Sequence, residues 1–174
     1  MYNHVYIEFT KPKGKILPLF SWAIRAFQKT PYSHVRLRWV SKSGVEIIYE
    51  ASGTKVKIIG EEAQDQFKVH VIKRYRVDLS KEEYRELIRL FKYSSVDYGA
   101  LQAVGIGISI WLRLSRNILS TKGQVCSELM TIFMEKVKNW PINLNKNLAG
   151  PLEVDVALEK IMKNDNSIKL EQVV

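Results

Sequence analysis

The sequence predicts an α+β domain with a mainly antiparallel sheet packed against helices. Two observations carry that expectation. Short runs with a period of two dominate the first half of the chain, and helical periodicity dominates the second. Two of the early runs are also separated only by a short, turn-rich stretch, as in a hairpin.

Val5, Ile7 and Phe9 alternate with Tyr6 and Glu8, which predicts the first strand. Pro12 and Gly14 break it. From Ile16 the spacing changes: Ile16, Phe20, Ala23, Ile24 and Phe27 fall on one helical stripe, the expected core face of a helix. Pro31 closes that helix, because the residue before a proline disfavours helical geometry. His34 to Val40 alternates strictly, with Val35, Leu37 and Trp39 on one face and His34, Arg36 and Arg38 on the other. Turn chemistry in Ser41 to Gly44 leads into a strand over 45–51, and 55–59 and 68–77 read as two more. Ser80 and Glu83 have capping-box spacing ahead of Tyr84, Leu87, Ile88 and Phe91. The apolar stretch after Tyr98 predicts another helix, loosened by Gly105 and Gly107, and a further helix is expected over about 125–137. Residues 1–164 are expected to form one domain, and 165–174 a polar, frayed tail.

Composition narrows the class. The chain has 174 residues, 46% of them apolar and 26% charged, which suits a globular protein able to bury its own core. A single cysteine excludes an intrachain disulfide and suits a reducing compartment. One cysteine and three scattered histidines show no metal-ligand spacing, so neither metal nor cofactor is expected. The net charge of +9 favours an anionic surface as partner. No run of five basic residues and no recognition signature accompanies it, so no specific nucleic-acid binding is expected. The uncharged part of 98–114 is shorter than the roughly 20 residues of a spanning helix, and the N-terminus lacks a signal-peptide pattern. A cytoplasmic location follows as an expectation, with peripheral membrane or cell-wall contact left open.

The hairpin bears on chemistry. A register that sets apolar against apolar places Val35 opposite Tyr49, Leu37 opposite Ile47 and Trp39 opposite Val45. On the other face Arg38 then meets Glu46, and His34 comes directly opposite Glu50, within reach of a hydrogen bond. Such a pair is either an ordinary surface contact or an oriented imidazole. His4 and His70 read as structural.

The lone thiol, Cys126, follows Lys122, Gly123 and Gln124 and falls near a helix start, where backbone amides and the helix dipole favour a thiolate. Cys126, Leu129, Met130, Phe133 and Val137 share one stripe, so a buried structural cysteine is the competing explanation.

The order of YSHVRL, IIYEASG and VCSEL, with PLEVDVAL late, resembles the circularly permuted branch of the NlpC-type papain-like hydrolases, including the YiiX-type and lecithin:retinol acyltransferase-like groups. In that branch the histidine strand precedes the cysteine helix, as His34 precedes Cys126 here. The usual Gly-Asp near the first strand is replaced by a Lys/Pro/Gly segment. The resemblance implies a papain-like fold and a cysteine peptidase, amidase or acyl hydrolase with Cys126 as nucleophile, His34 as general base and acid, and Glu50 as third member. It implies a small-molecule, peptide or lipid substrate. Tyr98, Gln124 and Tyr32 are candidate substrate-binding residues. The alternatives are a papain-like fold kept as a binding module and a basic protein that binds nucleic acid or another anionic surface.

Overall fold

The computed structural model describes residues 3–13, 18–41, 44, 46–52, 55–60, 69–92, 126–145 and 149–173. Its core is a six-stranded antiparallel sheet in the order β4-β3-β2-β1-β5-β6. The strands are β1 (Asn3–Pro12), β2 (His34–Val40), β3 (Glu46–Ser52), β4 (Lys55–Gly60), β5 (Val69–Leu79) and β6 (Ile168–Glu171). The helices are α1 (Pro18–Gln28), α2 (Lys81–Lys92), α3 (Cys126–Ile132) and α4 (Pro151–Met162). The α+β class and the antiparallel sheet match the sequence expectation.

Alternation sets the two faces of the sheet. Val5, Ile7 and Phe9 of β1 are fully buried with Val35, Leu37 and Trp39 of β2 and with Tyr75 and Val77 of β5. Leu87 of α2, Met130 of α3 and Val154 and Leu158 of α4 close over this face. Each such side chain contributes about 1.5–3 kcal/mol by leaving water. The other face carries Glu8, Arg36, Arg38 and Arg74.

Helix ends follow their local chemistry. At α2 the Glu83 amide donates to Ser80 Oγ at 3.1 Å and the Ser80 amide donates to Glu83 Oε2 at 2.7 Å, the expected capping box. α3 widens into one π turn over Phe133–Val137, and the buried ammonium of Lys138 beyond it donates to Asp78 O and pairs with Glu83. This fixes α3 to β5 and α2. α4 begins at Gly150 and Pro151, with the Gly150 amide donating to Glu153 Oε2 at 2.8 Å. A Cβ on Gly150 would lie 1.8 Å from Gln28 Nε2, so a side chain there would displace the Gln28 amide from Glu153.

Three expectations need correction. The helical stripe in α1 does not all face inward: Phe27 is 41% exposed, whereas Ser21 and Gln28 are buried. Their polar groups have partners, Ser33 Oγ at 2.6 Å for Ser21 and Glu153 Oε2 at 3.0 Å for Gln28, so burying them costs little. The segment 165–174 is not a frayed tail. Ile168 is 2% exposed, and β6 pairs with β5 from Val77–Ile168 to Arg74–Glu171.

The hairpin register is the third. The described pairs are Leu37–Tyr49, Arg38–Ile48, Trp39–Ile47 and Val40–Glu46, two residues away from the expected register. A two-residue shift leaves every side chain on its expected face, so alternation alone cannot exclude it. The connection decides instead: Gly44 takes a positive φ of 84° and donates to Ser41 O at 3.0 Å, closing a longer turn. Arg38 and Glu46 still form an ion pair, now diagonal rather than opposed.

Candidate functional site

His34 is the first residue of β2, and the segment before it is held on several sides. α1 ends at Lys29, whose φ of 53° is left-handed, and the Thr30 amide reaches back to Arg25 O at 3.1 Å. This bond stops the helix before Pro31 does. Thr30 Oγ1 then donates to Tyr32 O at 2.7 Å, and the Ser33 amide donates to Thr10 O at 3.0 Å. Tyr32 is buried, and its hydroxyl donates to Asp155 Oδ2 at 2.6 Å. His34 therefore follows a segment in which Thr30, Tyr32 and Ser33 are tied to α1, α4 and β1.

Cys126 is the first residue of α3 and 7% exposed. Its sulfur lies beside the His34 imidazole and the backbone amides of Val35 and Ser127. Burial pushes the thiol up, but the neighbouring His34 and the two amides together hold it below the ordinary thiol value. α3 is anchored by Ser127 Oγ, which donates to Ala149 O at 2.6 Å; within the helix Thr131 Oγ1 donates to Ser127 O at 2.9 Å.

The early end of the β2–β3 ladder leaves room for the sulfur beside β2. Described pairing of β2 with β3 starts only at Leu37–Tyr49, while β3 keeps its pairing to β4 as far as Ser52. The two strands therefore part at the beginning of β2. An amide in a strand points along the plane of the sheet. The Val35 amide is turned into this notch, where it meets Cys126 rather than a strand.

The structure thus brings Cys126 and His34 together, but it does not set Glu50 directly opposite His34. The observed register carried one step further puts position 50 against Arg36. Glu50 contributes backbone to β3, where it pairs with Lys57, and its side chain lies outside the described groups. Tyr98 and Gln124 lie outside the described residues, as does the expected helix after Tyr98. Among the described residues no three of His, Cys, Asp and Glu are grouped to hold a metal ion. None of the described helices is long and apolar enough to cross a membrane.

Two features escaped sequence reasoning. The amides of Val35 and Ser127 have no side-chain signature. Asp155 does leave a signal, an acid inside the apolar run of α4. It accepts from Tyr32, from Tyr75 at 2.6 Å and from Lys73 at 2.7 Å. Burial, and next the bond to Asp155, push both tyrosine hydroxyls well above their usual range, so they stay protonated donors. Compared with known protein families and with curated proteins, the chain matches none.

Proposed function

We propose that Cys126 and His34 form the nucleophile–base pair of a cysteine hydrolase that cleaves an amide or ester. The placement of the Cys126 sulfur beside the His34 imidazole, with the thiol held below its ordinary value, carries this reading. The antiparallel sheet, and a histidine strand that precedes the cysteine helix, support the permuted papain-like arrangement.

In this reading His34 takes the Cys126 proton and the thiolate adds to the substrate carbonyl. The Cys126 amide serves as oxyanion donor in this reading. Collapse breaks the C–N or C–O bond, and the leaving group takes the proton from the imidazolium. Water, deprotonated by His34, then attacks the thioacyl carbon and releases the thiolate. The substrate classes are a cell-wall peptide and a lipid or acyl ester. Glu50 is offset by two residues from direct opposition to His34, so the proposal rests on the dyad and assigns Glu50 at most an orienting role.

The burial of Cys126 favours one competing reading, a thiol–imidazole pair kept inside a non-catalytic binding module. Single-turnover acylation by an activated ester separates the two. Wild type is expected to form a thioester on Cys126, Cys126→Ser none, and His34→Ala to acylate about 10²–10⁴-fold more slowly. Alkylation by iodoacetamide supplies the pH test. A thiol lowered in the folded state stays ionised as pH falls below the ordinary thiol range. Wild-type labelling therefore persists there, while His34→Ala loses about tenfold in rate per pH unit. Equal rates in the two proteins at every pH would sink the enzyme reading.

A further inference from the structure

The positive charge of this chain is not evenly spread. Between Glu8 and Glu46 lie eight Lys and Arg residues and not one Asp or Glu. Arg36 and Arg38 are neutralised by Glu8 and Glu46. Lys13, Arg25 and Lys29, which bracket α1, pair with no carboxylate among the described residues; Arg25 donates instead to Ser21 O at 3.2 Å.

Among the described side chains of α1, polar groups lie inward and aromatic ones outward. Its inward side holds Ser21 and Gln28, hydrogen-bonded to Ser33 and Glu153, while its outward side presents Trp22, 61% exposed, Ala26, and Phe27, 41% exposed. A helix that faces only water has no reason to turn aromatic side chains outward when hydroxyl and amide groups could go there. Glu153, the carboxylate that meets α1, lies on the inward side and is held by Gln28 and by the Gly150 amide.

We propose that the outer face of α1 docks on an anionic lipid surface, with Trp22 and Phe27 in the headgroup–acyl boundary and Lys13, Arg25 and Lys29 against the headgroups. Aromatic side chains beside cations, with no acid paired to them among the described residues, are the chemistry of an interfacial helix. Each cation near such a surface contributes about 1 kcal/mol. A soluble polyanion would satisfy the cations and leave the aromatic face in water, so the observations favour the membrane. α1 is bonded through Ser21 to Ser33, the residue before His34, so docking would hold the dyad close to the bilayer. Docking itself does not depend on Cys126 being catalytic.

Co-sedimentation of the full chain with vesicles of phosphatidylcholine alone, or with added phosphatidylglycerol, tests this. Wild type and Cys126→Ala are expected to bind the anionic vesicles equally, and the neutral ones weakly. The exposed double variant Trp22→Ser/Phe27→Ser, with its fold checked by thermal melting, is expected to lose about tenfold or more in partitioning. Lys29→Glu should lose at least about tenfold on anionic vesicles only. Unchanged binding of the double variant would overturn the proposal. So would the absence of vesicle binding from a protein that double-stranded DNA or heparin retains equally with and without Trp22 and Phe27.

Discussion

The two faces of the sheet bury carboxylates by opposite means. On the outer face Glu8, fully buried, receives three guanidinium groups: Arg36 at 2.8 Å, Arg74 at 2.8 Å and Arg38 at 3.3 Å. On the helix-covered face Asp155 receives one ammonium, from Lys73, and two neutral hydroxyls, from Tyr32 and Tyr75. Glu8 is the single anion among excess cations, one of which Glu46 also holds. Asp155 shares the Lys73 ammonium with Glu159, and neutral donors satisfy the rest of its oxygens. The first cluster crosses β1, β2 and β5 and locks the sheet. The second ties α4 to β5 and to the segment that leads into His34. One arrangement is sensitive to loss of its centre, the other to loss of any spoke.

Glu8→Ala is therefore expected to have the largest effect. It leaves three guanidinium groups without their shared partner, at a cost of about 3–5 kcal/mol in chemical denaturation. Should that protein fail to fold, Glu8→Gln keeps the volume and is expected to remain strongly destabilised. A cost below about 1 kcal/mol for Glu8→Gln would show that the outer cluster is as solvated as a surface pair. On the other face, Tyr75→Phe and Tyr32→Phe each remove one hydroxyl bond to a charged acceptor, at about 1.5–3 kcal/mol. Tyr32→Phe is further expected to slow Cys126 alkylation more than Tyr75→Phe, because only Tyr32 lies in the segment that sets His34. Equal alkylation in the two would reduce the Asp155 cluster to a stabilising one alone.

The same contrast separates what was legible in the sequence from what was not. Faces were legible: period-two alternation placed Val35, Leu37 and Trp39 inward and Arg36 and Arg38 outward. Register was not, because alternation is blind to even shifts, and the turn at Gly44 chose the shift of two. The ladder also stops at Leu37–Tyr49, which alternation does not show, and the start of β2 is where the sulfur of Cys126 lies. Buried polarity was also hidden. Hydrophobic periodicity turned Phe27 inward because it cannot see that Ser21 and Gln28 have partners far along the chain. β6 escaped for another reason: its single buried anchor, Ile168, sits in a polar stretch too short to show a period. His34 and Cys126 were identified by motif order, but their meeting depends on distant elements that no local pattern encodes.

The smallest expected effect gives the sharpest test of the comparison. The Glu8 and Asp155 clusters share no residue, and strand alternation puts Arg74 and Tyr75, neighbours on β5, on opposite faces. Two groups on opposite faces with no common partner should act independently. The double variant Glu8→Gln/Tyr75→Phe is then expected to lose the sum of the two single losses, within about 0.5 kcal/mol. A larger coupling would mean that β5 shifts as a body when either cluster is weakened, transmitting strain from the Arg74 side to the Tyr75 side. Alkylation of Cys126 in the same four proteins locates the consequence. Independent clusters leave the double variant no slower than the Tyr75→Phe single, whereas a shifting sheet moves the start of β2 and slows it further.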